Sequence, residues 1–154
     1  MKNFSLINRI WTESDFDEMG WHDCTIYALA FNKSKFELLF DIDYILKWVD
    51  PLKEGGSYKF ILVPATLIFR NVYDVSIDLS SVDFQILEIS RSNPTKPRNA
   101  EYIIDNIECD WNIDVTGGSI TFKSVGYTQI ARSNPIESEG QVLDLSERGG
   151  IGFG

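Results

Sequence analysis

Phe36-Glu37-Leu38-Leu39-Phe40-Asp41-Ile42-Asp43-Tyr44-Ile45-Leu46-Lys47-Trp48-Val49 is the stretch that decides the fold. Leu38, Phe40, Ile42, Tyr44, Leu46 and Trp48 fall at every second position, with Glu37, Asp41, Asp43 and Lys47 between them. Side chains of an extended strand alternate between two faces. A period of two with apolar and charged partners therefore predicts a strand packed on one side and wet on the other, as in an antiparallel sheet.

Working outward, His22 to Phe31 reads as the preceding strand and Asn32 to Lys35 as the turn between the two. On the other side, Asp50-Pro51 and Gly55-Gly56 punctuate a loop. Tyr58 to Phe69 is apolar on both faces and reads as a central strand, except that Pro64 cannot donate to a ladder, which predicts a bulge or a break there. Val75–Leu79 and Val82–Ile89 are further strand candidates, and residues 90–99 read as a loop. Glu101 to Val115 alternates again, Thr116-Gly117-Gly118-Ser119 is a hairpin turn, and Ile120 to Ala131 returns as the partner strand.

The ends read differently. Phe4, Ile7, Ile10 and Trp11 recur at roughly helical spacing, so residues 3–11 form a short helix or an irregular arm, followed by a helical turn across 13–19. Residues 136–154 read as a polar, Gly-rich flexible tail. Together these features predict a single domain over 1–154, mostly β, with residues 1–20 as a helical or irregular arm. The expected architecture is an antiparallel sandwich or a partly open barrel; an α+β layout is the alternative.

The chain has 23 acidic and 14 basic residues and a net charge of −9. Nucleic-acid binders need a basic footprint to displace counterions from phosphates, and Lys and Arg here are scattered singles. Neither nucleic acid nor an anionic membrane is an expected partner; a basic protein is. Cys24 and Cys109 lack C-x-x-C spacing and read as reduced thiols. No signal-peptide run and no stretch near the ~18 apolar residues of a membrane span is present, so the expected location is cytoplasmic. No cofactor is expected.

Two groups of residues have chemistry to offer. His22, the only histidine, sits in Trp21-His22-Asp23. Pairing of the first two strands would bring it, or Asp23, towards Asp43. A histidine oriented by a carboxylate is a general-base arrangement, and Asp41 and Asp43, ~6–7 Å apart at Cα, could share a divalent cation. The plainer reading is a solvated acidic strand face, and it weighs more. The second group is the stripe Glu108, Asp110 and Asp114, which would bind a basic partner or simply keep the outer face wet. Trp21, Trp48, Trp111, Tyr58 and Phe60 would line a ligand pocket or pack the core, and packing is the simpler role. No nucleophile elbow or phosphate loop is present, and the terminal Gly149-Gly150-Ile151-Gly152-Phe153-Gly154 has no helix after it.

Trp21-His22-Asp23, Asp41-Ile42-Asp43-Tyr44-Ile45 with Trp48, and Pro64-Ala65-Thr66-Leu67-x-Phe69 resemble a group of small uncharacterised bacterial proteins, over residues 18–80. In size and acidity that group is similar to immunity proteins, which neutralise toxins. The resemblance carries no catalytic residue. With the small size, the net charge of −9, the acidic strand faces and the lack of a complete catalytic set, the expected function is a non-enzymatic protein-binding domain of an immunity-like kind, with Asp41, Asp43, Glu108, Asp110 and Trp48 as candidate contacts. The alternatives are an enzyme or metal site at His22, Asp23, Asp41 and Asp43, and a small-ligand β-barrel with a cavity behind Phe40, Tyr44 and Trp48.

Overall fold

The computed structural model describes residues 8–154. The strands are β1 (Ile10–Thr12), β2 (Thr25–Asn32), β3 (Glu37–Val49), β4 (Lys59–Arg70), β5 (Tyr73–Leu79), β6 (Ile86–Thr95), β7 (Glu108–Val115), β8 (Gly118–Ser124), β9 (Gly126–Ala131) and β10 (Ile136–Ser138). The 3-10 turns Glu13–Glu18 and Ala100–Tyr102 and the one-turn helix α1 (Leu145–Arg148) complete the chain. Two antiparallel sheets form: a six-stranded one in the order β1-β9-β4-β3-β2, with β10 also on β4, and a four-stranded one in the order β5-β8-β7-β6. The sheets stay open and face each other as a sandwich, so neither the barrel nor the α+β layout forms.

β3 forms as its alternation predicts. Leu38, Phe40, Ile42 and Tyr44 point to the interior and are buried. They meet the inward residues of β4, with Phe40 opposite Leu67 and Ile42 opposite Ala65. Phe69 is the hub between the sheets, with ring centroids 4.7 Å from Phe122, 5.1 Å from Trp111 and 5.7 Å from Tyr127. Burying each such ring contributes about 1.5–3 kcal/mol. The space behind Phe40 and Tyr44 is filled by Phe69, Trp11 and Trp21, where a ligand barrel would need a cavity.

Several expectations are corrected. β4 is unbroken through Pro64, which lies opposite Asp43. The Pro64 carbonyl accepts from the Arg132 N–H on the side where β9 ends and β10 begins, so its missing N–H falls where the neighbouring strands already leave a gap. The bulge lies in β3 instead, between Ile45 and Lys47. An extra residue reverses the alternation beyond it. Trp48 therefore pairs with Phe60 on the outer face rather than sharing the face of Phe40.

The segment 120–131 is two strands, not one. The chain leaves the four-stranded sheet after Ser124 and joins the six-stranded one at Gly126, whose φ is 149°. β6 extends through Thr95, into the predicted loop, because it pairs with β7 out to Glu108. At the start, Ile10–Thr12 is a strand on β9 rather than a helix, and Glu13–Glu18 is the predicted helical turn. The first part of the predicted arm, residues 1–7, lies outside the described residues.

The largest correction concerns the C-terminal segment, which packs as a strap. β10 pairs with β4, Leu143 is buried at 1% exposure, and α1 lies over the outer face of β3. Asp144 caps α1, its N–H bonded to the Glu147 carboxylate, and Gly149 ends it at φ 81°.

Candidate functional site

The outer face of β3 carries Asp41 and Asp43, both fully buried, not wet as predicted. The strap covers them and supplies their counter-charge. Arg148 Nη2 donates to Asp41 Oδ1 at 2.6 Å, its Nη1 to Asp41 Oδ2 at 2.9 Å and its Nε to Asp43 Oδ1 at 2.9 Å. One guanidinium thus bridges two carboxylates set two residues apart on one strand. Arg132 Nη2 adds a third bond to Asp41 at 2.6 Å, and the Gly152 N–H a fourth at 2.9 Å. Asp43 Oδ2 accepts from the Tyr27 hydroxyl at 2.7 Å and the Leu143 N–H at 3.1 Å, and the Tyr27 ring stacks under Arg148 at 3.9 Å.

Two carboxylates and two guanidiniums balance here, and each charge is hydrogen-bonded, as burial requires. Burial pushes the Asp41 carboxyl up, but the bonds from Arg148, the Gly152 N–H and Arg132 outweigh it and hold its pKa below the ordinary value. Burial lowers and the two aspartates raise the pKa of Arg148, and the aspartates win. The arrangement clamps the strap to the sheet. Its carboxylates are already neutralised from within, so they offer nothing to a basic partner or a cation.

His22 and Asp23 do not join them. The His22 ring is exposed; its Nδ1 lies 2.9 Å from the Leu87 carbonyl and its Nε2 3.4 Å from Asp23 Oδ1. Asp23 Oδ2 accepts from Gln141 Nε2 at 2.9 Å and Oδ1 from Gln85 Nε2 at 3.2 Å. Asp23 thus fastens the strap and Gln85, just ahead of β6, to the start of β2, in the left-handed conformation at φ 69°. The predicted four-residue convergence is not formed. Among the described residues, no group of three or more His, Cys, Asp or Glu side chains could hold a metal ion. Trp48 forms an aromatic cluster with Phe60 at 4.9 Å and Tyr58 at 6.0 Å, on the six-stranded sheet. Trp21 and Trp111 are core residues.

The second stripe behaves differently. Glu108, Asp110, Asn112 and Asp114 all lie on the outer face of β7, because Trp111, Ile113 and Val115 take the inner face. Register extends this polarity across the sheet. Glu88, Asp114, Ser119 and Asp78 form one cross-strand row, and Ser90, Asn112, Thr121 and Ser76 the next. Ser92, Asp110 and Lys123 form a third, with Asp74 beside them. Lys123 is the one cation in these rows, and its Nζ lies 2.7 Å from Asp110 Oδ1. Arg98, from the loop after β6, bonds Asp74 at 2.6 Å.

The outer face of the four-stranded sheet is therefore polar and acidic. The two predicted acidic stripes lie on different sheets, and only this one, Glu108 apart, is open to solvent. Arg132, Arg148 and Tyr27 were missed as partners of the aspartates. The one legible signal was Asp144-x-x-Glu147 ahead of Gly149-Gly150, a helix start and stop that argues against a flexible tail.

No described helix is long and apolar enough to cross a membrane. Compared with known proteins, the chain matches no family model, no curated protein and no solved structure.

Proposed function

We propose that this chain is a non-enzymatic, cytoplasmic protein-binding domain that takes a basic partner on the outer face of its four-stranded sheet, in the manner of an immunity-like protein. The observation that carries this reading is the set Asp74, Asp78, Glu88, Glu108, Asp110 and Asp114 on one face with Lys123 and Arg98 as the neighbouring cations. The net charge of −9 acts in the same direction. A surface of one sign steers a complementary partner and speeds its association. Asp41 and Asp43 drop out of the contact set, since Arg132 and Arg148 already neutralise them.

The test is the affinity of a basic protein partner from the source cell, measured by calorimetry at low and high salt. The protein is compared with a variant carrying Glu88→Gln, Asp110→Asn and Asp114→Asn. The expected result is a stoichiometric complex weakened by salt and weakened further in the variant. A complex of unchanged affinity in the variant sinks the acidic-face reading.

A further inference from the structure

The buried clamp shows what a pair of acids on one strand face can hold. Asp41 and Asp43 stand two residues apart on β3, and a single guanidinium satisfies both. Glu108 and Asp110 stand two residues apart on β7, also on one face. Same-face neighbours on any strand are ~6–7 Å apart at Cα, so the two pairs have one spacing.

Their charge balance differs. At this end of the acidic face Asp74, Glu108 and Asp110 meet two cations. Arg98 is taken by Asp74 at 2.6 Å and Lys123 by Asp110 at 2.7 Å. Glu108 is left over. It is 4% exposed, and its Oε1 is buried with no hydrogen-bond partner among the described residues. A buried carboxylate oxygen without a donor is destabilising unless something supplies one. Asp110 lines a hollow of about 350 Å³ with Asp74, Asn112, Thr121 and Lys123, so a side chain can reach its carboxylate from outside, where Lys123 and Asn93 already donate to it; Glu108, two residues earlier on the same strand face, is not part of that lining.

We propose that Glu108 and Asp110 form a subsite for an arginine side chain of the partner protein, which bridges them as Arg148 bridges Asp41 and Asp43. The proposal rests on the acidic-face reading and adds a discrete anchor to it. Arginine fits better than lysine for two reasons. Its planar fork presents several donors at once to two carboxylates, and it is more weakly hydrated, so less is lost in reaching a buried oxygen. Desolvated arginines of this kind are the residues that dominate interface energetics.

The experiment is a ¹⁵N–¹H NMR titration of the full chain with N-acetyl-arginine amide, N-acetyl-lysine amide and decalysine. The arginine probe is expected to shift the Glu108, Asp110 and Asn112 amides saturably, and the lysine probe to bind them more weakly. Glu108→Gln, close in shape but uncharged, is expected to weaken the arginine probe about tenfold, as loss of a charge-assisted hydrogen bond does. If its spectrum loses dispersion, Asp110→Asn carries the same expectation at a half-exposed position. Equal response to the two amides, or full arginine binding in both variants, overturns the subsite. Decalysine separates the two levels. If it still shifts the sheet face while the arginine probe shows no preference, the subsite is wrong and the acidic face stands. If no probe shifts the face, both readings fall.

Discussion

Arg148 and Asp41 lie 107 positions apart in the chain and meet at 2.6 Å in a site closed to solvent. This contact ties the end of the chain to the middle of its central hairpin. It also decides which acids of the protein are closed to solvent.

Removing Arg148 leaves two buried carboxylates short of donors. Arg148→Ala is expected to cost about 3–5 kcal/mol, the penalty of breaking a buried pair from one side. Arg148→Lys will not restore it, because an ammonium cannot fork between Asp41 and Asp43. Urea midpoints of the three proteins check this, and an unchanged midpoint for the alanine variant would show that the clamp adds nothing.

Acid should loosen the same clamp. Asp41 has its pKa lowered in the folded protein. Its stability contribution is present above the unfolded value, about 4, and is lost as pH falls through the lowered folded value. Stability followed by urea melts from pH 6 to pH 2 is expected to decline below about pH 4. In Asp41→Asn stability is lower at pH 6 and the decline is shallower. An equally steep decline in both would place the acid sensitivity elsewhere.

Gly126 turns the chain from one sheet into the other at φ 149°, and a Cβ there would stand 2.6 Å from the Glu13 side chain. Gly126→Ala is expected to cost about 2 kcal/mol or more, part from the backbone and part from the clash. Pairing it with Glu13→Ala should recover only the clash, and this is read from the two melting temperatures. Full recovery would mean the backbone conformation is not strained.

The two free thiols should differ in reactivity. Cys24 has no exposed surface, and burial pushes its thiol up to about 12, whereas Cys109 is half-buried. Thiolate is the reacting form. Ellman's reagent is expected to modify one thiol in the native protein and the second only after unfolding. Two fast reactions in the native state would contradict the burial of Cys24.

The alternation of Leu38, Phe40, Ile42 and Tyr44 determined by itself that β3 exists and which side of it is core, because side-chain direction in a strand is a local property of the backbone. The turn at Thr116-Gly117 and the acidic face of β7 were legible for the same reason. The fate of Asp41 and Asp43 was not. Alternation says they point away from the core of the sandwich, but not what lies beyond that face. Only the tertiary structure brings Leu143, Arg148 and Gly152 there, from 100 to 111 positions along the chain. Two stripes of equal local pattern thus part company. One is sealed under the C-terminal strap, and the other, Glu108 apart, stays open to solvent, a difference set by long-range packing that no window of sequence contains.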